Sequence, residues 1–341
     1  MKRILIFIVA LIIFALPIMA SDMTQYVDVP MKPLEFTYEG TTIPYRLYVP
    51  ADYSAENKYP VIVFLHGAGE RGTDNTNQLS NAIGTLFNRE DGLIRQSIVI
   101  VPQCPEDNQW VDTPWVLGNY GTDDVPESNE LATVVELVKQ IGSEYSTDTD
   151  RIYAMGLSMG GFGAWDLIIR HNDMFAAAVP ICGGGDTSKA ELLKDTPIFT
   201  FHGTDDAAVP YTGTKDMVDA IKAVGGKSIK FVSYDRADHG IWEFAAADEA
   251  LMPWLFEQTL SARNEVESSE VVTDTTPLEP DTDAPEESVS ETAARTDNLS
   301  EQIGNNSNSN NNQTTIIIII AVAALVVVAA AVVIAVVLKK K

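Results

Sequence analysis

Two kinds of apolar pattern alternate along the middle of the chain. Short runs rich in branched and aromatic residues occupy positions 42–49, 60–65, 98–101, 152–155, 176–179, 198–201 and 228–234. VIVFL at 61–65 and SIVIV at 97–101 show no polar alternation, which is the signature of strands buried on both faces. Between these runs, spacings of three and four predict amphipathic helices over 128–145, 159–171, 212–224 and 241–259. Strand–helix alternation of this kind predicts an α/β domain over residues 27–260, with a mostly parallel sheet of about eight strands and helices on both faces. That span is long enough for one substantial core, and no internal repeat divides it.

Both ends break the pattern. Residues 1–20 carry Lys2 and Arg3, an apolar run over 4–16, Pro17 and Ala20, the layout of a secretory signal peptide cleaved after Ala20. An uncleaved anchor is the alternative, because Ile18 is not a small residue. Residues 316–338 contain only Ile, Val, Ala and Leu and lead into Lys339, Lys340 and Lys341. At about 1.5 Å rise per residue this run spans a hydrocarbon core of about 30 Å. The lysines predict a short cytoplasmic tail (339–341) and an exported remainder. Residues 261–315 hold twelve acidic and two basic residues among Ser, Thr, Pro and Asn, with no aromatic. That composition predicts a disordered stalk, with N-x-S/T sequons at Asn298, Asn305 and Asn312. The expected location is therefore the cell surface, anchored in the bilayer by one C-terminal helix.

Charge removes some functions. With 48 acidic against 23 basic residues the net charge is −25, which excludes the clustered cations that nucleic acid requires. Two cysteines, Cys104 and Cys182, permit one disulfide at most, and the sequence does not say whether it forms. Oligomeric state is equally unread.

The candidate chemistry begins at RIYAMGLSMGGFGAW, residues 151–165. A strand ends in G-x-S-x-G and a helix begins at once, the layout of a nucleophile elbow that lifts Ser158 above the sheet. A serine needs a base, and the base needs a carboxylate. His239, in a loop after the strand at 228–234, is the candidate base by chain order; His66, His171 and His202 read as structural. Asp205 and Asp206 both follow the strand at 198–201, and the residues alone do not choose between them. His66-Gly67-Ala68-Gly69 follows a buried strand, so the N–H groups of Ala68 and Met159 are the candidate oxyanion donors. Glu70 and Arg71 read first as a structural ion pair shaping that loop, with an acid and a cation for substrate as the alternative. Trp110 and Trp115, with Tyr120 in the same loop, and Trp242 are candidate substrate-side aromatics. Asp148 and Asp150 lack the further ligands of a calcium loop and read as a turn. No metal or cofactor is expected.

HGAGERGTDN, VPQCP, DRIYAMGLSMGGFGAWDL, PICGGGD, FHGTDDAAVP and DHGIW occur in that order. Together they resemble a family of secreted α/β-hydrolases known as predicted peptidases or esterases. That family is similar to feruloyl and acetylxylan esterases, polyhydroxybutyrate depolymerases and the phospholipase/carboxylesterase group. The resemblance implies Ser158 and His239 as nucleophile and base. It also implies Asp206 as the acid, four residues after the His of the HG pair and four before Pro210. Ala207 and Ala208 depart from the bulkier residues common there, which implies a looser acid loop. The function so implied is a serine hydrolase cleaving short acyl or feruloyl esters, including those on polysaccharides, through an acyl-enzyme. A serine peptidase of the same fold is the alternative, and a non-catalytic surface adhesion protein is the alternative of another class.

Overall fold

The computed structural model describes residues 30–264. The signal peptide, the stalk beyond residue 264, the predicted membrane span and the lysine tail fall outside the described residues. Among the described residues no helix is long and apolar enough to cross a membrane.

The apolar runs form an eight-stranded sheet: β1 (Lys32–Tyr38), β2 (Thr41–Tyr48), β3 (Tyr59–Leu65), β4 (Ile98–Pro102), β5 (Thr147–Leu157), β6 (Ala177–Ile181), β7 (Ile198–Gly203) and β8 (Ile229–Tyr234). Their spatial order is β1-β2-β4-β3-β5-β6-β7-β8. β1–β2 and β2–β4 pair antiparallel, and every pair from β4 to β8 is parallel. Inner strands read as unbroken apolar runs because both of their faces are covered. Val61, Val63 and Leu65 enter one core layer and Ile62 and Phe64 the other, the period of two that a strand imposes.

Each layer has its own helices. One side carries α2 (Asn129–Glu144), α3 (Met159–Arg170) and α4 (Thr212–Ala223); the other carries α1 (Ile83–Phe87), α5 (Trp242–Ala247) and α6 (Leu251–Phe256). Ser128 caps α2 by accepting from the Leu131 N–H at 3.1 Å, which satisfies one donor left over at the helix start.

Three expectations need correcting. The helix expected over 241–259 is two helices, α5 and α6, because Pro253 lacks the N–H that a continuous helix would send back to Glu249. Arg89 fills the interruption, donating to the carbonyls of Ala246 and Asp248 at 2.8 Å each and of Glu249 at 3.3 Å. Asp148 and Asp150 lie within β5 rather than in a turn. Asp148 is bound by Arg151 at 2.6 Å, and Asp150 accepts from the Ser261 N–H and hydroxyl at 2.7 Å each. Finally, β1 was not among the strands read from the apolar pattern. Its side chains are mostly exposed, and it is held by pairing from Lys32↔Leu47 to Tyr38↔Thr41.

Candidate active site

Four loops leave the carboxyl ends of the parallel strands β3, β5, β7 and β8 and converge on Ser158. The strand-to-helix turn between β5 and α3 is so tight that a Cβ on Gly156 would lie 2.1 Å from the Gly160 carbonyl oxygen, and one on Gly160 would lie 2.0 Å from that of Leu65. Only glycine fits at either place. Ser158 itself takes φ 54°, ψ −119°, a conformation that costs a side-chain-bearing residue about 1–3 kcal/mol and survives because its surroundings impose it. Its N–H donates to the Ile181 carbonyl at 2.9 Å, and its own carbonyl accepts from Gly161 at 2.8 Å and Phe162 at 3.1 Å. The hydroxyl is thereby held above the sheet.

His239 reaches Ser158 Oγ through Nε2 at 2.8 Å, and its Nδ1 lies 2.6 Å from Asp206 Oδ2. Asp205 is exposed, whereas the Asp206 side chain is buried. Asp206 accepts at Oδ1 from the N–H groups of Ala208 and Val209, both at 2.9 Å, and at Oδ2 also from His202 Nε2 at 3.1 Å. These bonds tie the acid loop despite its two alanines. Burial opposes ionisation of Asp206. Hydrogen bonds from His202 and His239, the Val209 N–H and the nearby His239 charge outweigh it and hold this carboxyl well below the usual range. His202 therefore meets Asp206 and not Ser158, and its bond helps to orient the Asp206 carboxylate.

The loop after β3 carries the candidate oxyanion donors. Ala68 opens a 3₁₀ turn (Ala68–Glu70) and Met159 opens α3, positions whose N–H groups have no partner within their own helix. Arg71 pins the loop by donating to the carbonyls of Ala68 at 2.9 Å and Asn108 at 3.3 Å. The expected Glu70–Arg71 ion pair is not among those of the described residues; Glu70 turns inward and accepts from Asn81 at 2.5 Å. His66 sits fully buried beneath. Its Nε2 accepts from the Cys104 N–H at 2.9 Å, so the proton is on Nδ1, 2.6 Å from the Gly67 carbonyl. Desolvation lowers its pKa to about 4.

A cleft of about 300 Å³ opens over Ser158, walled by Gly67, Ala68, Trp115, Leu157, His239 and Trp242 among others. Trp115 and Trp242 both line it, with Trp242 edge-on to the His239 ring at 5.5 Å. Trp110 does not. It is wholly buried, its indole N–H donating to the His66 carbonyl at 3.0 Å, so it supports the loop after β3 from below and does not face the cleft. Tyr120 is likewise engaged in packing, its hydroxyl bound to Asp166 at 2.6 Å. Val116, Leu117 and Phe244 are exposed beside the two cleft tryptophans in sequence, and no motif marks them.

Cys104 and Cys182 are both free and buried. Among the described residues, donor atoms of Cys182, Asp206 and His239 lie within 4.8 Å of one another. The set fits a metal poorly. Burial pushes the Cys182 thiol far up, away from the thiolate a metal needs, and Asp206 and His239 already bind each other.

The family described as "Putative esterase" matches residues 38–314, well over half of the chain. The chain belongs to this esterase family. Among curated relatives, it is 25% identical over 168 residues to a bifunctional acetylxylan esterase/xylanase of Neocallimastix patriciarum, covering 49% of this chain and 22% of that protein. It is 24% identical over 198 residues to a probable feruloyl esterase C of Aspergillus niger, covering 58% and 66% respectively. A solved thermostable esterase superposes with TM-score 0.61 at 36% identity, covering 67% of this chain and 63% of that one. In each case the chain spans less than two thirds of the relative. The eight-stranded sheet and these likenesses together identify the α/β-hydrolase fold.

Proposed function

We propose that this esterase-family chain is an extracytoplasmic serine hydrolase that cleaves carboxylic esters, with short acyl or feruloyl esters of polysaccharides as its substrate class. The observation that carries this reading is the hydrogen-bonded series Ser158 Oγ, His239 Nε2, His239 Nδ1 and Asp206 Oδ2, at 2.8 and 2.6 Å, opening into the cleft. Ionised Asp206 keeps the neutral imidazole protonated on Nδ1, which leaves the Nε2 lone pair facing the serine.

The reaction then follows in order. His239 Nε2 takes the Ser158 proton as Oγ bonds to the ester carbon, and the carbonyl oxygen becomes an oxyanion bound by the Ala68 and Met159 N–H groups. Each such donor is worth about 3 kcal/mol in the transition state. His239 returns the proton to the departing alkoxide, and the acyl group stays on Ser158. Water, deprotonated by His239, attacks the acyl-enzyme, and the acid leaves as the serine regains its proton. Trp115 and Trp242 offer flat apolar walls that suit an aryl or short alkyl acyl group.

Export and the membrane tether rest on the sequence of the two ends alone, namely the 1–20 leader and the 316–338 span with its lysines. The decisive test of substrate class is a panel of acetylated and feruloylated sugars, p-nitrophenyl esters and peptides. Turnover of esters is expected; turnover of peptides without esters would overturn the class while leaving the mechanism.

A further inference from the structure

Trp115 belongs to two cavities. It lines the cleft over Ser158, and it also lines a second one of about 520 Å³ bounded by Gln109, Asp112, Thr113, Pro114 and Val116. The two therefore adjoin across a single residue, and the second falls within the range of about 300–1,000 Å³ in which small-ligand sites occur. The loop that forms it is pinned on both sides. On one, Trp110 donates its indole N–H to the His66 carbonyl at 3.0 Å and accepts at its own carbonyl from Ser128 Oγ at 2.8 Å, while the Asn108 carbonyl accepts from Arg71 at 3.3 Å. On the other, Gly118 packs so closely on two glycines that a Cβ on Gly184 would lie 1.6 Å, and one on Gly213 2.7 Å, from its carbonyl oxygen. Walls fixed in this way have little ordering left to lose when a ligand binds.

The second cavity sets an indole beside a carboxylate that solvent reaches. Asp112 is exposed, and among the described residues it makes no hydrogen bond or ion pair. Trp115 is half-buried, and Val116 is 61% exposed next to it. A sugar ring matches that pairing. Its C–H face lies on an aromatic surface, and its rim of hydroxyls donates to a carboxylate in charge-assisted bonds stronger than those between neutral groups. Charge then selects the kind of sugar. Between Arg95 and Lys139 the chain has no Lys or Arg, while Glu106, Asp107 and Asp112 all lie on this loop. Arg71, which reaches the loop, is engaged by the Ala68 and Asn108 carbonyls. A uronate would bring like charge to these carboxylates, and a neutral ring does not.

We infer that the cavity beside Trp115 is a sugar subsite, which binds a neutral glycosyl unit adjoining the one whose ester lies at Ser158. Trp115 stacks on the ring and Asp112 accepts from its hydroxyls. This rests on the reading of Ser158 as nucleophile. The preferred substrates are therefore acylated neutral glycans of two or more units, rather than acylated monosaccharides or uronate polymers.

The test uses matched substrates on the purified full chain. Monoacylated methyl xyloside is set against monoacylated xylotriose, each as the acetyl and the feruloyl ester at the same ring position. The wild type is expected to favour the trisaccharide by about tenfold or more in kcat/KM in at least one series, since a stacked ring and a charge-assisted hydrogen bond add binding that the monosaccharide lacks. In Asp112→Ala and in Trp115→Ala that ratio is expected to fall towards one. Asp112 is exposed, so its variant reads the ratio in a folded protein even if Trp115→Ala does not fold. No trisaccharide preference in the wild type in either series, or a preference retained within twofold in Asp112→Ala or in folded Trp115→Ala, would overturn the assignment. An acylated trigalacturonate is expected to gain nothing over its monomer, and a gain equal to that of xylotriose would overturn the selection of neutral sugars. p-Nitrophenyl acetate run alongside separates the two layers. If the wild type turns it over without a chain-length preference, only the subsite fails; if neither it nor any sugar ester is turned over, the serine-hydrolase reading fails.

Discussion

Asp206 divides its two oxygens between two tasks. Oδ1 accepts from the loop N–H groups of Ala208 and Val209, and Oδ2 accepts from His239 and His202. An asparagine can keep Oδ1 on the loop but must then present NH2 to His239 Nδ1, which places the imidazole proton on Nε2 and removes the base. Asp206→Asn is therefore expected to lower kcat by about 10⁴ with little change in Tm, whereas exposed Asp205→Asn stays within about threefold. Steady-state kinetics on p-nitrophenyl acetate with parallel thermal melts read both. The two residues read by themselves do not choose between these neighbours, because adjacent loop residues point in different directions that only the backbone sets; the choice of Asp206 came from the family resemblance. The glycines of the elbow were legible for the opposite reason: their need is local. Gly160→Ala places a methyl 2.0 Å from the Leu65 oxygen and is expected to cost about 3 kcal/mol or more, a Tm loss of at least about 6 °C by calorimetry.

At the scale of elements, legibility followed burial. The inner strands β3 to β7 were readable because both of their faces are apolar where they cross the core, and the pattern survives without knowing the neighbours. β1 buries almost nothing, so its apolar pattern carries no signal. The mark it did leave is Glu39-Gly40, both at positive φ (46° and 89°), joining β1 to β2 in a two-residue turn that matches strand twist. The division of α5 from α6 was likewise written at Pro253, although the apolar spacing runs straight through it. What the sequence does not reveal is the distant Arg89, whose buried guanidinium binds three carbonyls of the break. Arg89→Ala is expected to destabilise the domain by about 2 kcal/mol, seen as a lower urea midpoint at unchanged slope.

Across the whole molecule, the sheet gathers four loops from strands far apart in sequence at one edge, the place where open α/β sheets expose their sites. An order of Ser158, then an aspartate at 205 or 206, then His239 was readable along the chain. The cleft, the inward turn of Glu70 and the burial of Trp110 depend on how those loops meet, and no single segment records that. The same packing makes stability depend on pH. His66 is held neutral with a folded pKa of about 4, below its unfolded value of about 6.5, so the unfolded chain binds the extra proton first as pH falls. Stability from this group is complete above about pH 6.5 and is lost progressively towards pH 4, by about 3 kcal/mol. Glu70, raised by burial, opposes this loss over acid pH, and Asp206, lowered by its hydrogen bonds, adds to it below about pH 4. Denaturant melts from pH 7 to 4 are expected to show a shallower pH dependence in His66→Gln than in wild type.

The central claim is that Ser158 is the nucleophile, and a fluorophosphonate probe followed by peptide mapping tests it most directly. One adduct per chain is predicted, on the peptide containing Ser158, absent in Ser158→Ala and slowed in step with activity in Asp206→Asn. An unlabelled wild type, or labelling that persists in Ser158→Ala, would contradict the account.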